Sequence, residues 1–116
     1  MPTPKLFLTY VTDVERSTAF YRDLFGIEPE MITPRYVPFE IAPGVLFAIW
    51  SGRPDAATAS TPRTGEVGIM QPGGAEAIDR THDEWRARGI TIVEEPYDEP
   101  FGRTFIAADP DGNLIR

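Results

Sequence analysis

Residues 11–26 read VTDVERSTAFYRDLFG, and this passage carries the chain out of a strand and into a helix. Ahead of it, Lys5 to Thr12 is apolar, β-branched or aromatic at most positions, which suits a buried strand. At Thr12 or Asp13 the period changes. Either residue is a good helix N-cap, Glu15 places a negative charge in the first turn, and Val14, Ser17, Tyr21 and Leu24, flanked by Phe20, recur at helical spacing. Gly26 supplies the stop that a helix C-terminus commonly uses.

Working outward, Pro29, Pro34, Pro38 and Pro43 divide the next segment into stretches too short for helices, which predicts strands at about 27–33, 35–41 and 45–51. Residues 52–65, rich in Ala, Thr, Ser, Pro and Arg, read as an exposed connection. Beyond them the same order of elements recurs. Glu66 to Gln71 is a short strand, Gly73 and Gly74 break the chain, and Ala75 to Arg88 is a helix with Ile78, His82 and Trp85 on one side, closed by Gly89. Ile90 to Glu94, Arg103 to Ala108 and Asn113 to Arg116 are the following strands, and Asp109, Pro110, Asp111 and Gly112 form a turn. The apolar positions of the two helices are out of phase when counted back from Gly26 and Gly89, so the repeat is one of architecture and not of residues. The expected organisation is a single α+β domain over 1–116, made of a module at about 4–51, a linker at about 52–65 and a second module at about 66–116.

Composition narrows the function. Hydrophobic residues make up 41% and charged residues 25% of the 116, a globular balance that argues against disorder. With no cysteine, disulfide scaffolds, thiolate metal sites and cysteine nucleophiles are excluded. One histidine, His82, cannot build an imidazole-rich metal site. A net charge of −7 has the wrong sign for phosphate backbones, so nucleic acid is not an expected partner. No apolar run approaches the roughly 20 residues of a membrane span, and MPTPKLFLTY lacks the pattern of a secretory signal, so a soluble cytoplasmic protein is expected.

Together with residues 101–115, FGRTFIAADPDGNLI, the 11–26 passage resembles the two ends of vicinal oxygen chelate proteins, the glyoxalase, bleomycin-resistance and dioxygenase superfamily. That resemblance implies two βαβββ modules forming a cupped mixed sheet around a ligand. It also implies metal-ligand positions on the first, fourth, fifth and eighth strands, which map here onto Leu6, the neighbourhood of Ala48, Glu66 and Arg116. Leu6 and Ala48 carry no side-chain donor, and a guanidinium repels a cation, so no metal and no cofactor are expected. Glu66 is an inward carboxylate able to pair with Arg116 or to act as a base, or else a solvated residue at a strand start.

Residues sharing parity with the mapped positions share their face. Leu6, Leu8, Tyr10, Leu46, Ala48, Trp50, Glu66, Gly68, Met70, Leu114 and Arg116 are therefore expected toward the cup. Phe7, Val11, Phe47, Ile49, Val67, Ile69 and Ile115 are expected beneath the helices. Tyr10, Trp50 and Met70 with one or two charges suit a flat organic molecule, or simply fill the sheet. His82 is expected on the outer helix, away from the cup, and Glu94, Glu95, Asp98 and Glu99 as a solvated loop around Pro96 and Pro100. The resulting expectation is a metal-independent protein that binds a small organic ligand at Leu6, Leu8, Tyr10, Ala48, Trp50, Glu66, Met70 and Arg116. The alternative is a glyoxalase-like lyase or isomerase with Glu66 as base and Arg116 or Tyr10 stabilising negative charge. The family implies a homodimer.

Overall fold

Asp13 caps the first helix as expected. Its backbone is extended (φ −135°, ψ 97°), its carboxylate accepts from Arg16 N at 3.1 Å, and helix α1 runs Val14–Phe25. Gly26 ends it in the left-handed conformation at φ 68°, donating its N–H to Arg22 O at 2.9 Å. In this computed structural model residues 2–52 and 66–116 are described, and the chain divides into two units, Met1–Pro62 and Arg63–Arg116. Apart from Gly52, the connection expected at 52–65 lies outside the described residues.

The first unit orders its strands β1–β3–β2, with β1 at Leu6–Tyr10, β2 at Tyr36–Ala42 and β3 at Val45–Trp50. β1 and β3 are parallel, which demands a crossover, and α1 lies within it. β2 returns antiparallel on β3 through a turn at Gly44, whose φ of 73° favours glycine. Tyr21 and Phe39 are fully buried and Phe47 nearly so, with Tyr21 4.9 Å and Phe25 5.2 Å from Phe47 between ring centres. Each such aromatic contributes roughly 2–3 kcal/mol by burial, so this cluster fixes α1 onto β2 and β3.

The strand expected at 27–33 does not form. Pro29 and Pro34 each remove a donor, and the segment is instead tied down by Glu30 N to Pro38 O at 2.8 Å and by Thr33, whose N–H and hydroxyl both donate to Tyr36 O. The first unit is thus βαββ among its described residues.

The second unit orders its strands β4–β7–β6–β5, with β4 at Glu66–Val67, β5 at Thr91–Glu99, β6 at Gly102–Ala108 and β7 at Leu114–Ile115. Helix α2, Gly74–Ala87, lies on β5 and β6, with Trp85 and His82 edge-on to Phe105 at 5.3 and 5.4 Å. The turn at 109–112 forms because the Asp109 carboxylate accepts from Asp111 N, Asn113 N and Asn113 Nδ2, at 2.8–2.9 Å. β4 is shorter than expected, although Ile69 N still donates to Arg116 O at 2.9 Å.

The acidic loop expected around Pro96 is a strand. β5 runs through Glu94, Glu95, Pro96 and Asp98 to Glu99, opposite β6. Two physical facts admit the proline: β5 is the edge of its sheet, so one side needs no donor, and the register shifts between Glu94 and Tyr97.

Candidate ligand-binding site

In the first unit the parallel register sets Leu6 opposite Leu46, Leu8 opposite Ala48 and Tyr10 opposite Trp50, so strand alternation puts these six side chains on one face. The other face carries Phe47 against α1. Leu6 and Leu8 are 47% and 42% exposed, Ala48 is fully buried, and Tyr10 and Trp50 are half-buried with ring centres 6.1 Å apart at 48°. The two rings and the two leucines form a continuous apolar strip along β1, ending in the indole N–H, a donor.

Phe7 departs from expectation: by register it shares the face of Phe47, yet it is 52% exposed. Helix α1 packs on β2 and β3, and β1 lies on the far side of β3, beyond its cover. Ile69, expected beneath α2, is 37% exposed for the same reason, since α2 packs on β5 and β6.

In the second unit Glu66 stands opposite Leu114 and Val67 opposite the buried Ile115, so Glu66, Leu114 and Arg116 share a face. Arg116 Nε donates to Glu66 Oε1 and its NH1 to the Tyr97 hydroxyl, both at 2.8 Å. The hydrogen bond to Glu66, and after it that to Tyr97, raises the guanidinium pKa further and keeps it charged. Of the alternatives open for Glu66, the structure has the pairing with Arg116. Tyr97 was not expected beside it, because the sequence signals at Pro96 and Pro100 pointed to a loop; it stands on β5 opposite Thr104 of β6.

Met70 is 96% exposed at the mouth of a pocket of about 290 Å³, whose walls include Ile78, Trp85, Phe105 and Arg116. This pocket runs beside the part of β6 that β7 leaves unpaired, since β7 meets β6 at Ala107 and Ala108 alone. One wall is helix α2, so it is not the strand-lined hollow expected from parity.

The four positions at which the resemblance places metal ligands do not fit an ion. Leu6 and Ala48 offer no donor, the Arg116 guanidinium repels a cation, and the Glu66 carboxylate is already engaged by that guanidinium. Among the described residues no group of three or more His, Asp and Glu side chains converges to hold a metal. His82 is buried on α2, with Nδ1 3.1 Å from Asp83 and Nε2 2.6 Å from Glu95, which also pairs with Arg86. Arg103 joins α2 to the β5–β6 hairpin through Asp79 at 2.6 Å and Asp98 at 3.0 Å, bonds that raise its pKa in that order. Both clusters tie elements together.

Residues 5–116 match the Glyoxalase/Bleomycin resistance protein/Dioxygenase superfamily. The chain is 50% identical over 117 residues to a phenazine antibiotic resistance protein, EhpR, of Enterobacter agglomerans, covering 98% of this chain and 89% of that protein. A protein of Agrobacterium tumefaciens solved by NMR is similar with a TM-score of 0.84 and 31% identity, covering 100% of this chain and 95% of that one. A glyoxalase/bleomycin resistance protein/dioxygenase from Nocardioides gives a TM-score of 0.81 and 29% identity, over 99% and 81% of the two chains. A lactoylglutathione lyase of Agrobacterium tumefaciens, at 21% identity and a TM-score of 0.72 over 97% and 90%, shares the fold.

Proposed function

The chain belongs to the Glyoxalase/Bleomycin resistance protein/Dioxygenase superfamily, and from that premise we propose that it is a metal-independent binding protein that sequesters a planar aromatic antibiotic of the phenazine type. The observation that carries this reading is the Tyr10–Trp50 ring pair, 6.1 Å apart and half-buried, standing at the end of the exposed leucines of β1. A flat heteroaromatic stacks on such a surface for roughly 0.5–1.5 kcal/mol beyond the area it buries. The half-identical relative named for phenazine resistance supports the ligand class. Tyr10 and Trp50 are the stacking groups, and Leu6 and Leu8 extend the apolar wall.

Sequestration rather than turnover is favoured by the state of Glu66, the base of the alternative reading. Its Oε1 already accepts a hydrogen bond from the Arg116 guanidinium, so the carboxylate is held in an ion pair. The protein acts in the cytoplasm, where a drug that has entered the cell is met, and as a homodimer. The exposure of Leu6, Phe7 and Leu8 on one short strand supports a covering partner.

Calorimetry and thermal denaturation test the proposal. Phenazine is expected to raise the melting temperature by mass action and to be recovered chemically unchanged after incubation. Zinc, nickel, manganese and chelators are expected to leave the melting temperature where it was. A rise of several degrees with one of those metals, or conversion of the phenazine to a new compound, would refute it.

A further inference from the structure

Gly52 follows Trp50 by two residues, where the pleat of an extended chain returns to the same face. A Cβ built on Gly52 falls 1.9 Å from Nε1, 2.4 Å from Cε2 and 2.7 Å from Cζ2 of Trp50. These are overlaps, since non-bonded carbons rest about 3.5–4.0 Å apart. The indole therefore lies back along the main chain over Gly52, in space that only a hydrogen leaves open. Gly52 is not one of the glycines with positive φ, so glycine is needed here for space and not for its backbone freedom.

The chain leading into Gly52 is held from two sides. Trp50 O accepts from Val11 N at 3.1 Å, Ser51 N donates to Arg35 O at 2.9 Å, and Trp50 stands in register with both Tyr10 and Tyr36. A methyl at residue 52 consequently displaces the indole more readily than the strand beneath it. Any such displacement changes the 6.1 Å, 48° relation between the rings of Trp50 and Tyr10.

We propose that Gly52 is a positioning residue: by leaving its Cβ space empty it lets the Nε1 edge of the Trp50 indole lie over the chain at residue 52, and so sets the shape of the aromatic wall that selects a planar ligand. This rests on the reading of Trp50 as part of the ligand site.

The experiment starts from a Trp85→Phe protein, which keeps an aromatic ring against Phe105 and leaves Trp50 as its one tryptophan. Phenazine is the probe. Adding Gly52→Ala is expected to change the tryptophan emission maximum and near-ultraviolet circular dichroism, and to weaken phenazine binding by about tenfold or more. Adding Gly52→Ala to a Trp50→Leu protein is expected to change neither melting temperature nor phenazine affinity, because leucine does not reach residue 52. Unchanged tryptophan spectra in the first comparison, or an equal loss in the second, would overturn the role of Gly52. If Gly52→Ala alone prevents folding, a folded Trp50→Leu/Gly52→Ala protein supports the indole clash and an unfolded one overturns it. Altered spectra with unaltered phenazine affinity would leave Gly52 in control of the indole but remove Trp50 from the ligand site, sinking the functional proposal separately.

Discussion

Trp50 and Arg116 illustrate two ways in which a side chain is committed. Arg116 is held by Glu66 and Tyr97, with its side chain 30% exposed, so nearby solvent screens the ion pair. Glu66→Gln is accordingly expected to leave the urea midpoint nearly unchanged. It is also expected to leave phenazine affinity unchanged, since Glu66 is not proposed to touch the ligand. Trp50 is committed by geometry instead. Trp50→Ala is expected to weaken phenazine binding by about tenfold, read by calorimetry, with little loss of stability because the ring is half-buried.

At the scale of elements, stability is concentrated where helices meet strands. Helix α1 is fixed by its cap and by one aromatic cluster. Asp13→Ala removes the acceptor for Arg16 N and is expected to cost about 1 kcal/mol. Tyr21→Ala empties a fully buried site against Phe47 and is expected to cost about 3–5 kcal/mol, seen as a fall in the urea midpoint. The second helix is held differently, by Trp85 and His82 on Phe105 and by the ion pairs of Arg103 with Asp79 and of Arg86 with Glu95. The carboxylates of these pairs are exposed, so added salt is expected to weaken α2 more than α1. Hydrogen exchange at increasing ionic strength checks the difference, with earlier loss of protection in 74–87 as the expected outcome.

At the scale of the whole molecule, the proposed dimer rests on the exposed apolar side chains of β1. Leu6, Phe7 and Leu8 are each more than two-fifths exposed, on a strand at the edge of its sheet. Light scattering is expected to give the mass of a dimer, and Leu8→Arg to reduce it to that of one chain. A monomer mass for the unaltered protein would remove the dimer from the proposal.

Much of this was legible in the order of residues. The Asp13 cap, the Gly26 stop, the spacing of Val14, Ser17 and Tyr21, and the turn at 109–112 are local chemistry, set by neighbours a few positions apart. Strand parity likewise gave the common face of Leu8, Tyr10 and Trp50 and that of Glu66 and Arg116, because side chains alternate with a period of two once a strand is assigned. What only the tertiary structure decided depends on which strand stands at an edge. Pro96 is tolerated within β5, Phe7 and Ile69 escape their helices, and Tyr97 reaches Arg116, all through lateral neighbours far apart in sequence. The fit of Trp50 over Gly52 is of the same kind: an overlap of atoms in space, for which no periodicity in the chain leaves a trace.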